Sequence, residues 1–184
     1  MRYMEKGSAS CADPFSLIIN AVHGQILSRS GRPKEAVAQF QKTLDLERNF
    51  LFGHFLFGPT LVHDGKNKEA VKELEQAVQS SRGSSVYRSM LTYVYAQTGR
   101  IEEARMILGD VIQEANSDRA SWMDVAGIYA ALGEKDHAFA ALEMAFQRRD
   151  SRMTMLLNHE ALMPLRSDPR FSDLAGRVGL PQHN

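Results

Sequence analysis

The chain has 184 residues, and its 22 basic and 22 acidic side chains give a formal net charge of zero at pH 7. Hydrophobic residues account for 43% of the sequence and charged residues for 24%, which is typical of a soluble globular protein. Binding to a nucleic-acid backbone requires a concentrated excess of Lys and Arg, so the balanced charge predicts no nucleic-acid partner.

Cysteine content and hydropathy bear on the compartment. The single cysteine, Cys11, excludes an internal disulfide and favours a reducing environment. No apolar stretch approaches the roughly 18–20 residues that a membrane-spanning helix needs, and the N-terminus lacks the apolar core of a secretion signal. We therefore predict a cytoplasmic protein without a membrane partner.

Residues 1–13 are predicted to form a flexible leader, and the pair Asp13-Pro14 has two interpretations. The pair can be the end of a repeat that precedes residue 17. The chain is then a truncated or naturally short piece of a longer array, and an uncovered flank near Ile18, Ile19 and Val22 predicts a homodimer through this N-terminal edge. Alternatively, Asp13 is a helix N-cap and Pro14 the first helical residue.

The centre of the chain is a repeat. Four glycines recur at one constant spacing, and an alanine follows each glycine by five positions. A fixed period of about 34 residues is typical of stacked helix–turn–helix units. The sequence predicts four of them within residues 14–152, at 17–50, 51–84, 85–118 and 119–152. The two columns are Gly31, Gly65, Gly99 and Gly133, then Ala36, Ala70, Ala104 and Ala138.

Further columns explain how the two helices of a unit pack. Large apolar residues recur at one position of the first helix, and small residues recur three positions before it. Antiparallel helices approach closely where a small side chain on one meets a large one on the other. The large column is Leu27, Leu61, Tyr95 and Tyr129; the small column is Gly24, Gly58, Thr92 and Ala126; on the second helix Phe40, Leu74, Leu108 and Leu142 follow the alanines.

After residue 152 the period is expected to stop, and residues 153–184 are predicted to be a capping segment. Asp168-Pro169 is an N-cap and first-turn signal, and Gly179 marks the end of an amphipathic helix. Such a helix would cover the apolar flank of the last unit. Between the last unit and this helix we expect one short helical segment and an extended crossing at Met163-Pro164.

The four units resemble the tetratricopeptide-repeat family. The segment from Pro164 to Phe171, together with Val178-Gly179-Leu180-Pro181, resembles the end of bacterial arrays that follow winged-helix, adenylate-cyclase or serine/threonine-kinase regulatory domains. The resemblance implies an all-α, right-handed superhelix of four repeats with a C-terminal capping helix. It also implies that the first helices line a concave groove that binds peptides or helices of partner proteins.

The positions that line the inner face in this family are occupied here by largely apolar residues. Three interpretations stay open: a trough for an amphipathic helix or apolar peptide, simple packing between first helices, and self-association. Co-chaperone members of the family bind a C-terminal carboxylate with cationic side chains. The matching positions here have no cations, so we do not expect this chain to bind a terminal carboxylate in that way. The predicted groove residues are Ile18, Ala21, Gln25, Phe52, Phe55, Val62, Val86, Tyr93 and Met123.

Signals for catalysis are poor. The stretch from His159 to Met163 begins like the zinc motif H-E-x-x-H but ends in methionine, so the second ligand is missing. His54, His63 and His137 lie in different units. We predict a non-catalytic protein-interaction scaffold with no catalytic residue, metal or cofactor. The alternative is a small-molecule-sensing or enzymatic domain that uses the groove as a pocket.

Overall fold

The computed structural model describes residues 14–180, and the side chains of residues 16–180. The predicted leader, with Cys11 and Asp13, lies outside the described residues. Within them every regular element is helical, so the all-α prediction is confirmed. The α-helices are α1 Pro14–Arg29, α2 Pro33–Leu46, α3 Leu51–His63, α4 Asn67–Ser80, α5 Ser85–Gln97, α6 Ile101–Asn116, α7 Trp122–Ala131, α8 Lys135–Gln147 and α9 Pro169–Val178; two 3₁₀ helices, Ser151–Asn158 and Glu160–Leu165, precede α9.

The turn between the helices of each pair recurs with the sequence period. The second helices begin one period apart, at Pro33, Asn67, Ile101 and Lys135. The column glycine before each start has a φ between 73° and 80°, in the left-handed region that an L side chain adopts only at a cost. The residue after each glycine donates its N–H to a carbonyl five residues earlier, as in a Schellman motif. These bonds are Arg32 to Leu27, Lys66 to Leu61, Arg100 to Tyr95 and Glu134 to Tyr129, at 2.8–3.0 Å.

Contacts between Cα atoms divide the described residues into two compact units, 14–73 and 74–180, with the boundary inside α4. In the first unit α1 packs against α2 and α3, and α2 packs against α3. A Cβ atom at Gly24 would lie 2.8 Å from the Phe40 ring, which is fully buried. That ring stacks on Phe57 with the ring centroids 5.3 Å apart. The predicted contact of a small residue with a large one is confirmed for this helix pair.

In the second unit α5 packs against α6 and α7, and α7 packs against α8. The column alanines Ala104 and Ala138 have no exposed surface, and Leu108 and Leu142 are buried one turn later. Leu108, Ala138 and Leu142 belong to one hydrophobic core that continues into the C-terminal segment through Leu156. The core therefore runs from α6 through α7 and α8 into the segment that follows them.

The C-terminal segment keeps one feature of the period, which is the position at which its helix begins. Helix α9 begins at Pro169, one full period after α8 begins at Lys135. Its predicted ends are confirmed: the Asp168 side chain accepts the N–H of Arg170, and Gly179 has a φ of 81°. The second 3₁₀ helix packs on α7.

The extended crossing predicted at Met163-Pro164 was wrong, because both residues lie inside the second 3₁₀ helix. The extended residue is His159, with a ψ of 113°. Proline's fixed φ suits a 3₁₀ helix, and residues three apart are aligned on one side of it. Leu162 and Leu165 have that spacing, and both are fully buried.

A buried histidine ties α3 to the two segments beside it in the first unit. His54 Nδ1 lies 2.7 Å from a carboxylate oxygen of Glu73, and Nε2 lies 2.8 Å from the carbonyl oxygen of Arg48. Both partners are acceptors, so both hydrogen bonds form only when each ring nitrogen carries a proton. The hydrogen bond with Glu73 raises the pKa of His54, while burial acts in the opposite direction.

We therefore expect the first unit to lose stability with rising pH. The pKa of His54 is higher in the folded state than its unfolded value of about 6.5, so its contribution is complete below that pH and is lost as pH rises through the folded pKa. The measurement is the free energy of unfolding in urea across neutral and mildly alkaline pH. His54→Gln should remove the slope, and the control His137→Gln, at an exposed histidine paired with Glu134, should keep it. A wild-type stability that does not change over this range would contradict the assignment.

Candidate functional site

An open cleft of about 290 Å³ lies in the second unit, where the chain enters α5 and α7 and leaves α8. We name it the Val86 cleft. One wall is the first turn of α5, another is the loop between α6 and α7, and the third is the start of the first 3₁₀ helix. Its lining consists of Ser85, Val86, Asp118, Arg119, Ala120, Ser121, Trp122, Arg148, Asp150 and Arg152.

Two helix caps join the walls of the cleft. The Ser121 hydroxyl accepts the N–H of Met123 at the start of α7 and donates to the carboxylate of Asp150 at 2.5 Å. Asp150 in turn accepts the N–H of Arg152 at the start of the first 3₁₀ helix. Side chains that cap helices satisfy the free N–H groups of a first turn. Here the capping also fixes the spacing of two walls.

Most charges of the cleft are paired within it. Arg148 donates to Asp118 at 2.8 Å, and Arg152 grips the Asp124 carboxylate through two hydrogen bonds of 2.9 and 2.5 Å. Burial raises the pKa of the Asp124 carboxyl, and Arg152 lowers it. The guanidinium of Arg119 has no hydrogen bond or ion pair with any residue in the described part of the chain. The cleft thus combines apolar side chains with one cation, Arg119, and one carboxylate, Asp150, that form no ion pair with the described residues.

In the first unit most predicted groove residues lie at least partly on the surface. Ile18 and Phe52 are exposed, and Gln25, Phe55 and Val62 are half-buried. The rings of Phe52 and Phe55 are nearly parallel, with their centroids 6.4 Å apart. Ala21 has no exposed surface, because α1 packs against both α2 and α3. Ala21 therefore lies beneath the surface that the other predicted groove residues form, and it does not itself contact a partner.

In the second unit the predicted groove residues do not share one surface. Val86 is 39% exposed and lines the cleft, whereas Met123 is fully buried in the core. Helix α7 packs against α5 and the second 3₁₀ helix, which leaves Met123 no free surface. Tyr93 is half-buried, and burial raises its pKa, with a further contribution from the Glu160 carboxylate.

The charged residues of the cleft were missed by the sequence analysis. Arg119, Arg148 and Arg152 belong to loops or short helices, whereas the projection considered only the inner face of the first helices. The groove was therefore expected to lack cations, and the structure places three beside Val86. One signal was available: Ser85 and Arg119 are one period apart in the sequence, so they occupy equivalent positions of neighbouring units.

Metal sites and membrane-spanning helices are two further features that would indicate a function. Within residues 14–180 no group of three or more His, Cys, Asp or Glu side chains is placed to hold a metal ion. No helix in that range has the length and apolarity needed to cross a bilayer.

The family comparison matches the periodic part of the chain. Residues 61–123 match the model of the tetratricopeptide-repeat family. No curated protein and no solved structure matches the chain significantly. The matched segment contains the turns at Gly65 and Gly99, and the same turn recurs one period to either side, at Gly31 and Gly133. Residues 61–123 are therefore similar to tetratricopeptide repeats, and the turn found in that segment is shared by the helix pairs on both sides of it.

Proposed function

We propose that this chain is a non-catalytic scaffold that binds a peptide or helix of a partner protein. Tetratricopeptide repeats generally mediate protein–protein interaction. The observation that carries the proposal is the Val86 cleft, where Val86 and the half-buried Trp122 lie among charged loop residues. An apolar centre with a polar rim is the usual composition of a protein interface.

The first unit supports the same function with a surface of its own. Phe52 and Phe55 stack at the surface of α3, and both belong to the predicted groove. Aromatic side chains are frequent anchors of protein interfaces because they bury a large area with little loss of conformational freedom. We propose that Phe52, Phe55 and the exposed Ile18 contact the partner, as do Val86 and Tyr93 in the second unit.

A small-molecule-sensing or enzymatic domain is the alternative. Pockets for small molecules usually have volumes of about 300–1,000 Å³ and enclose most of the ligand. The Val86 cleft is at the lower limit of that range and is open. Its geometry suits a segment of a partner protein better than an enclosed ligand.

The cellular location and the type of organism that we propose rest on the sequence. The resemblance of the tail to bacterial regulatory arrays supports a cytoplasmic, bacterial regulatory protein, and the zero net charge supports the absence of a nucleic-acid partner. We also propose that the repeat boundaries are 17–50, 51–84, 85–118 and 119–152, with a capping segment at 153–184.

A pair of matched substitutions tests the cleft. Val86→Asp places a charge on its apolar floor, and Met106→Asp places the same charge on α6, at a side chain that is 78% exposed and outside the lining. With a partner captured from the source cell, titration should show that Val86→Asp weakens binding at least tenfold, or about 1.4 kcal/mol. The control should bind like the wild type. Equal affinity of all three proteins would refute the role of the cleft.

A second candidate function, self-association, is favoured by an apolar stripe on α1. Ile18, Ile19, Val22 and Ile26 are all exposed there, and Ile19 is 68% exposed. Residues 16–28 contain no Asp, Glu, Lys or Arg, so two copies of this face can meet without opposing charges. A two-fold axis places the same patch of both copies in one interface. We propose that this stripe forms a homodimer.

Sedimentation at increasing protein concentration measures the molecular mass in solution and so detects the dimer. We expect a reversible, concentration-dependent dimer for the wild type, and a monomer for Ile19→Glu, because pairing would bury two unpaired carboxylates. Met106→Glu, an equally radical change on another helix, should still dimerise. A wild type that stays monomeric throughout would sink the dimer and leave the Val86 cleft unaffected.

A further inference from the structure

The charges of the Val86 cleft do not all have partners. Arg148 pairs with Asp118, and Arg152 pairs with Asp124. Asp150 accepts hydrogen bonds from the Ser121 hydroxyl and from a backbone N–H. Arg119 is exposed, and its guanidinium has no partner among the described residues. A ligand of the cleft therefore meets one cation without an ion pair, Arg119, and one carboxylate, Asp150, that is bound only by neutral donors.

The backbone of Arg119 is held at both ends of the residue. Its N–H donates to the carbonyl of Glu114 at 2.8 Å, and its carbonyl accepts the hydroxyl of Ser85 at 3.0 Å. Ser85 precedes Val86 in the first turn of α5, so the bond fixes Arg119 against the wall that carries the apolar floor. A group whose backbone is already ordered loses less entropy when it binds.

We propose that the partner segment in the Val86 cleft carries an Asp or Glu side chain beside an apolar residue. This inference rests on the proposed function. The carboxylate pairs with Arg119, whose planar guanidinium donates two parallel hydrogen bonds to such a group. The apolar neighbour packs on Val86 and Trp122.

The surrounding carboxylates favour a single acidic side chain over a polyanion. Asp118 is 83% exposed at the rim of the cleft, and Asp150 is a second carboxylate of its lining. Both would repel the successive phosphates of a nucleic acid, which requires several cations in a row. One carboxylate directed at Arg119 needs only the one free guanidinium.

Selection from a random peptide library against the purified full chain tests the inference. Enriched peptides should combine Asp or Glu with a large apolar residue. A synthetic peptide of that sequence should lose at least tenfold in affinity for Arg119→Glu, and a similar factor when its acidic residue becomes Asn or Gln. Arg82→Glu is the matched control, because Arg82 is an arginine outside the cleft lining, and it should bind like the wild type.

A charge exchange makes the test specific. A peptide whose acidic residue is replaced by Lys should bind Arg119→Glu better than it binds the wild type. Enriched peptides that lose affinity for Val86→Asp but lack an acidic residue, or that ignore Arg119→Glu, would overturn the acidic partner while the cleft remains a binding site. Failure to enrich any peptide that Val86→Asp weakens would overturn the inference and the proposed use of the cleft together.

Discussion

The left-handed glycine turn is the constraint on which the rest of the described structure depends. At Gly31, Gly65, Gly99 and Gly133 the chain reverses between two helices with φ between 73° and 80°, a conformation that glycine adopts without steric cost. The turn fixes where the second helix begins, and the alanine five residues later then lies at the helix contact with no exposed surface. Register, close approach and core packing thus follow from one backbone conformation.

The C-terminal segment shows what happens when the glycine is absent. Ser167 occupies the position one period after Gly133 and is not among the residues with positive φ. Two 3₁₀ helices precede α9, which still begins one period after α8, at Pro169. Asp168 and Pro169 supply that start through a side-chain cap and a fixed φ. The phase of α9 is therefore kept by local capping.

The sequence predicted the features that depend on neighbouring residues. The glycine turns, the buried alanines and the capped helix α9 each have a short-range signature, and all three are present. Features that depend on distant segments were missed. One missed feature is that Arg119 lies beside the loop around Asp150, and another is that Ala21 and Met123 are completely buried. Both depend on how the helices pack against one another, which the projection of a single helix face cannot show.

The cleft follows from the same repeating geometry. Ser85, the first residue of α5, reaches the carbonyl of Arg119, which lies one period later in the sequence and three residues before α7 begins. The loops that precede these helices are thereby brought together, and their side chains are free to vary without disturbing the core. Under the proposed function, the helix pairs maintain the fold while loop residues contact the partner.

Two glycine substitutions in the second unit test the role of the turn most directly. Neither Gly99 in the turn nor Gly109 inside α6 has an atom within 4 Å of an added Cβ, so Gly99→Ala and Gly109→Ala differ only in backbone conformation. The account predicts that Gly99→Ala lowers the free energy of unfolding by about 1 kcal/mol, because Gly99 has a φ of 80°. Gly109→Ala should raise it by about 0.5–1 kcal/mol, because alanine is the better helix former. Changes of the same sign in urea unfolding would contradict the account.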